Sequence, residues 1–138
     1  MKFKVTGSIL LLLAVVIFSC QNDGQIEFNR YYSGGSAIYL AHCANCHGNK
    51  GEGLQALIPP LTDSAYLKKN KNVLACFLKN GLKEKISINN KTFESEMPAD
   101  SLAPIEIAKV LTYVTNSFGN KLGTINLQQV QDDMAKCR

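Results

Sequence analysis

One short segment restricts the fold of this chain more than any other feature. Cys43, Cys46 and His47 form a C-x-x-C-H sequence, with Ala44 and Asn45 between the cysteines. Two thiols at this spacing lie close together on one helical turn, so that each can bond to one vinyl group of a porphyrin, and His47 follows directly to approach the iron. The sequence therefore predicts one covalently attached haem c, around which the rest of the chain has to fold.

Other uses of a C-x-x-C pair fit this sequence less well. A structural zinc site needs four ligands, and the chain has neither a second C-x-x-C pair nor an H-x-x-x-H pair. A thioredoxin-like dithiol needs a preceding strand within a βαβ unit, whereas the hydrophobic pattern here is mainly helical. Haem attachment is therefore the favoured interpretation.

The second axial ligand has to come from the opposite face of the haem, and Met97 is the candidate. The other histidine, His42, lies too close to His47 along the chain to reach around the porphyrin. Met1 falls in an N-terminal segment expected to be removed, and Met134 falls in the C-terminal tail. A lone methionine more often serves core packing, so this ligand role depends on the C-x-x-C-H motif. His/Met ligation would close the iron to oxygen or peroxide and raise its reduction potential.

A proline pair offers a partner for the second ring nitrogen of His47. A neutral iron-bound histidine usually donates its other ring N–H to a carbonyl or carboxylate, which fixes the ring. We expect this partner in the segment Pro59-Pro60-Leu61, because the proline rings hold the loop still. The alternative is that the prolines only stiffen a loop.

The N-terminus has the features of an export signal. Lys2 and Lys4 precede an apolar run, Ile9 to Phe18, that is too short to span a bilayer comfortably. The run ends in Ile-Phe-Ser-Cys at Cys20, which resembles a bacterial lipobox, in which the cysteine becomes the lipidated first residue. We therefore expect a lipoprotein signal peptide over residues 1–19. A short transmembrane anchor and signal cleavage without lipid are the alternatives.

This signal places the mature chain in the bacterial cell envelope, on the periplasmic side, where lipid at Cys20 would anchor it to a membrane. The chain has 15 Lys and Arg against 11 Asp and Glu, and two of the lysines lie in the signal segment. The mature chain is therefore close to neutral, and its charge gives no reason to expect nucleic-acid binding.

Two cysteines, Cys76 and Cys137, have no role in lipid or haem attachment. An even pair in an oxidising compartment predicts a disulfide that pins the C-terminal tail to the domain. The alternative is two separate free thiols.

The remaining signals predict a small all-α domain over residues 33–138, preceded by a lipidated N-terminus and flexible tether over residues 20–32. Such a domain has a thin core, which a large apolar cofactor would complete. Helices are expected at Ser33–Ala44, Ser64–Lys69, Asn72–Asn80, Pro104–Phe118 and Val130–Lys136, and Lys85–Phe93 is expected to form a small hairpin or an irregular loop.

These residues together resemble class I c-type cytochromes, specifically the small bacterial monohaem ones, from about Gly35 to Asn120. The matching elements, in order, are Gly35 and Tyr39, Cys43 to Gly48, Pro59-Pro60-Leu61, Met97-Pro98, and the helix end from Ile107 to Asn120.

The resemblance implies a cytochrome c-like fold, in which a few helices wrap around one covalently bound haem. The first and last helices would cross where Gly35 and Tyr39 meet Val110 and Tyr113. The resemblance also implies His47 and Met97 as axial ligands, with the carbonyl of Pro59 on His47.

The expected function is electron transfer rather than catalysis. A quinol-oxidising complex or a dehydrogenase would be the donor, and a terminal oxidase or reductase the acceptor. The alternative is a haem subunit docked permanently on an oxidase, reductase or dehydrogenase complex. A haem enzyme such as a peroxidase is less favoured, because it needs an open iron site and the chain has one C-x-x-C-H motif and an available Met97.

Overall fold

The computed structural model describes residues 23–137. Within them the chain forms six helices and one two-stranded antiparallel sheet, which confirms the expected all-α class. The elements are α1 (Asp23–His42), α2 (Ala44–His47), α3 (Ser64–Lys69), α4 (Leu74–Asn80), β1 (Ile86–Ile88), β2 (Lys91–Phe93), α5 (Pro104–Val114) and α6 (Leu127–Met134). No helix in the described part is long and apolar enough to cross a membrane. The expected signal peptide over residues 1–19 and the lipidated Cys20 lie outside the described residues.

Helix α1 begins at Asp23, well before the expected start at Ser33. The expectation of a flexible tether is therefore wrong for residues 23–32. Ser33 lies inside the helix, and its Oγ donates a hydrogen bond to the carbonyl of Asn29 at 2.8 Å, so it is not an N-cap.

Aromatic side chains explain the early start of α1. Phe28 stacks on Tyr32 with 5.6 Å between ring centroids, and Tyr32 packs against Tyr113 of α5 at 5.1 Å. The hydroxyl of the buried Tyr31 accepts a hydrogen bond from the N–H of Leu127 at 3.3 Å. The contacts of Tyr31 and Tyr32 with distant parts of the chain keep this mainly polar segment helical.

Helices α1 and α5 cross at a glycine. A Cβ at Gly35 would lie 2.0 Å from the carbonyl oxygen of Lys109 and 2.8 Å from Cβ of Tyr113, so only glycine permits this approach. Beside it, the fully buried Tyr39 packs against Tyr113 with ring centroids 5.4 Å apart. This crossing places the C-terminal end of α1, and therefore Cys43, against the interior of the domain.

Replacing Gly35 with alanine is expected to destabilise the protein by about 1 to 3 kcal/mol, as overpacking does. The added methyl would overlap a backbone atom that cannot move without shifting α5. The matched control is Gly34→Ala, whose Cβ would meet only the flexible Lys109 side chain, at 3.1 Å. That change should leave stability unchanged or raise it by up to roughly 1 kcal/mol, because alanine favours helices. Urea unfolding measures both variants, and equal losses would contradict the close-packing explanation.

The C-terminal end of α5 departs from its prediction. The helix was expected to run from Pro104 to Phe118, but it ends at Val114, and Phe118 adopts a φ of +57°. This left-handed conformation turns the Phe118 ring back onto Tyr39, with centroids 5.3 Å apart. A tertiary contact therefore overrides the local helical pattern.

The segment 85–93, expected to form either a small hairpin or an irregular loop, forms a hairpin. Strands β1 and β2 pair through Ile86 with Phe93 and Ile88 with Lys91. Asn89 and Asn90 form the turn with φ of +51° and +60°, a conformation that asparagine tolerates.

The terminal helix α6 begins slightly earlier than expected, where the Asn126 side chain accepts a hydrogen bond from the N–H of Gln129 at 2.9 Å.

Candidate haem-binding site

The C-x-x-C-H segment forms a single helical turn directly after α1. His47 N–H donates to the carbonyl of Cys43 at 2.9 Å, which brings both ends of the motif together. Cys43 is half-buried, Cys46 is exposed, and neither forms a disulfide. Burial, aided by the negative charge of Asp100, raises the pKa of the Cys43 thiol to about 11. The thiol is therefore protonated near neutral pH.

Residues 23–137 contain no cluster of three or more His, Cys, Asp or Glu side chains able to hold a metal ion directly. Within this part of the chain, nothing thus favours a structural zinc site at the C-x-x-C pair.

His47 is oriented by a backbone carbonyl of the proline loop. Its Nδ1 lies 3.1 Å from the carbonyl oxygen of Pro59. A carbonyl can only accept, so Nδ1 carries the proton in this contact and the lone pair of Nε2 is available for a metal. Burial lowers the pKa of His47, outweighing the opposing effect of the Pro59 hydrogen bond, and this favours the neutral ring. The structure thus brings together His47 and the proline segment singled out from the sequence.

The loop between His47 and Pro59 is closed by close backbone contacts. Gly53 N–H donates to the carbonyl of His47 at 2.9 Å, and Leu61 N–H donates to the carbonyl of Gly51 at 2.8 Å. Gly53 has a φ of +69°, and a Cβ there would lie 2.3 Å from the carbonyl oxygen of Ile58. Glycine at this position therefore lets the proline segment return to the ring of His47.

Two adjoining cavities are both lined by Cys43, His47 and Met97. One of them, which we call the outer cavity, also reaches Cys46 and Leu57. The other, which we call the inner cavity, is lined by apolar side chains of α4 and α5, namely Leu74, Phe77, Leu78, Val110, Leu111 and Val114. An apolar space bounded by two thiols, a neutral imidazole and a thioether fits a covalently attached haem.

The backbone of Met97 is held on both sides. Its N–H and carbonyl both pair with Leu82, each at 2.9 Å. Gly81, with a φ of +76°, has no room for a side chain, because a Cβ would lie 2.6 Å from the carbonyl oxygen of Met97. Leu82 and Gly81 support Met97 but could not be recognised from the sequence, because no local pattern marks a backbone bridge between such distant residues.

A second contact links the Met97 loop to the attachment segment. His42 Nδ1 lies 3.1 Å from Asp100 Oδ2, and Asp100 N–H donates to the carbonyl of Leu78 at 2.8 Å. The side chain of His42 is 43% exposed. It therefore remains at the surface but connects the end of α1 with the loop that follows Met97.

Cys76 and Cys137, the two cysteines without another expected role, are bonded to each other in the structure. The disulfide connects α4, which lines the inner cavity, with the segment after α6. It therefore ties the C-terminal tail to a wall of the candidate site.

Comparison with protein families gives one match. The model of the family described as Cytochrome c matches residues 32–117, which is more than half of the chain. A search of curated proteins finds no match. The matched range includes the attachment segment, the proline loop and Met97, and it ends before Asn120, α6 and Cys137.

Proposed function

Because the chain belongs to the cytochrome c family, whose members carry covalently attached haem c, we propose that it is a single-electron carrier with iron bound by His47 and Met97. Cys43 and Cys46 would hold the haem through thioether bonds. Family membership and the mostly helical architecture agree on a cytochrome c-like all-α fold. The observation that carries the proposal is the apolar cavity that Cys43, His47 and Met97 line together.

Haem c supplies an iron that changes its charge by one electron, and the protein side chains determine how readily it does so. The Nδ1–H of His47, held 3.1 Å from the Pro59 oxygen, fixes the ring and increases the electron donation of Nε2. The thioether of Met97 favours the ferrous state and therefore raises the reduction potential. The apolar side chains of α4 and α5 exclude water from the same space.

Electron transfer rather than catalysis is supported by two considerations. Cytochromes c are generally electron carriers, and the match covers the segments that contain both proposed iron ligands. With His47 and Met97 both bound, oxygen or peroxide would have no free position on the iron.

An absorption spectrum and an intact mass test this proposal on the purified full-length protein, made in a host that attaches haem c. We expect a mass increase of one haem and a c-type α-band on reduction. The oxidised protein should show a weak near-infrared band from sulfur-to-iron charge transfer. A colourless protein would exclude the proposed function, and a coloured protein without the near-infrared band would exclude Met97 as a ligand.

The proposed partners are those of an electron carrier at a membrane. A quinol-oxidising complex or dehydrogenase would reduce the protein, and a terminal oxidase or reductase would oxidise it. We place the protein on the periplasmic side of the cell envelope, anchored by lipid at Cys20, on the basis of its apolar N-terminal run and the Ile-Phe-Ser-Cys sequence.

Cys20→Ser is expected to release the protein from the membrane fraction into the soluble periplasmic fraction, because it removes the atom that would carry the lipid. Ser19→Ala is the matched control, since it keeps a small residue before the cysteine and should leave the protein with the membranes. Cell fractionation followed by haem staining measures the distribution. Membrane association of the Cys20→Ser variant would contradict the lipid anchor.

A further inference from the structure

We infer that Asn120 is a positioning residue for His47, acting through the proline loop. This inference depends on the proposed role of His47 as an iron ligand. Asn120 lies beyond the part of the chain that matches the cytochrome c family, and it does not itself line either cavity.

The Asn120 side chain joins three parts of the chain. It is 2% exposed, and its Nδ2 donates hydrogen bonds to the carbonyl of Leu61 at 2.8 Å and to the carbonyl of Val114 at 3.0 Å. Its Oδ1 accepts a hydrogen bond from Oγ of Ser64 at 2.6 Å. One buried amide therefore connects the proline loop, the end of α5 and the start of α3.

A shift of Leu61 can reach His47 over a very short distance along the chain, because Leu61 is two residues from Pro59. Leu61 follows Pro59 and Pro60, and each proline ring fixes its own φ, so the segment is stiff. The contact between Pro59 oxygen and His47 Nδ1 measures 3.1 Å, towards the long end of the usual range, where a small displacement weakens a hydrogen bond. A shift of the Leu61 carbonyl is therefore expected to change the hydrogen bond that orients His47.

The turn that carries Asn120 supports the same loop at a second point. Phe118, with a φ of +57°, lies so close to Gly51 that a Cβ there would be 2.6 Å from the Phe118 ring. Gly51 in turn accepts the hydrogen bond from Leu61 N–H. Both polar groups of the Leu61 backbone therefore depend on the segment from Phe118 to Asn120.

The chain provides two matched controls. Asn116 is a second asparagine at the end of α5, and its side chain bonds to Thr112 and to Gly123, without touching the proline loop. Ser64→Ala removes the hydroxyl that donates to Asn120 but leaves both Nδ2 donors of Asn120 in place.

The test compares the haem-loaded variants Asn120→Ala, Asn116→Ala and Ser64→Ala by redox titration and by NMR of the His47 ring protons. We expect Asn120→Ala to raise the reduction potential and to shift the His47 Nδ1–H resonance, because a weaker hydrogen bond makes the imidazole a poorer donor to ferric iron. Asn116→Ala and Ser64→Ala should keep both values, even where their melting temperature falls. Asn120→Gln, which retains the amide, should move the potential back towards that of the wild type.

A lower melting temperature of Asn120→Ala with an unchanged potential and an unchanged His47 resonance would overturn the inference. If Asn120→Ala does not fold, Asn120→Ser, which keeps one hydroxyl donor, is expected to shift both values in the same direction, and wild-type values in that variant would also overturn it. Failure of the proposed function would be visible separately, because the wild-type protein would then show no iron-shifted His47 ring protons.

Discussion

Met97→Ala is expected to abolish the near-infrared sulfur-to-iron band and to lower the reduction potential. Loss of the thioether would remove the proposed ligand that favours ferrous iron, so the potential should fall by a substantial part of the range of about 0.8 V that axial ligands control. The vacated position should bind added imidazole, which the wild-type protein should resist. Absorption spectra, redox titration and imidazole titration measure the three effects.

Met134→Ala is the matched control for this prediction. Met134 lies at the margin of the hydrophobic core at the end of α6 and does not line either cavity. This variant should keep the band and the potential while losing some stability, as expected when buried methylene groups are removed. If Met97→Ala retained the band, or if Met134→Ala lost it, the ligand would have to be assigned differently.

The attachment segment could be identified from the sequence because its chemistry lies within one helical turn. Cys43, Cys46 and His47 are adjacent in sequence, and their spacing alone indicates what they can bind. Pro59 and Met97 were singled out for a different reason, since a bound haem requires a ring partner and a second ligand and the chain offers few candidates. The contact of Pro59 with His47 is present in the structure, and the ligand role of Met97 stays a prediction. The contacts that hold Met97 could not be predicted, because they are backbone bonds to Leu82 that depend on the complete fold.

The limits of α1 and α5 show where local patterns fail. Residues 23–32 contain mainly polar side chains, and the contacts of Tyr31 and Tyr32 with distant residues explain why they are helical. Phe118 continues the apolar stripe of α5 in sequence. Its backbone nevertheless leaves the helix, because its ring packs beside Gly51. In both cases a tertiary contact outweighs a helix propensity of well under about 1 kcal/mol per residue.

Removal of the disulfide, by Cys76→Ala together with Cys137→Ala, is expected to lower the free energy of unfolding by roughly 4 kcal/mol. The bond joins residues separated by 61 positions, so its loss releases a long closed loop in the unfolded chain. The expected loss is a large part of the stability of a domain this small, which is typically about 5–15 kcal/mol. Denaturant unfolding of the haem-loaded protein, followed by circular dichroism, measures the difference.

Reduction of the wild-type protein with a thiol reagent provides the comparison, because it opens the same loop without removing the two sulfur atoms. Both forms should keep the haem spectrum while folded, since Leu74 and Leu78 of α4 remain packed in the core through their own apolar contacts. The double variant should also show a larger dependence of the unfolding free energy on denaturant, because its unfolded chain exposes more surface. A loss below about 1 kcal/mol, with no change in that dependence, would mean that packing alone holds the tail in place, through Val130 of α6 and Ile125 just before it.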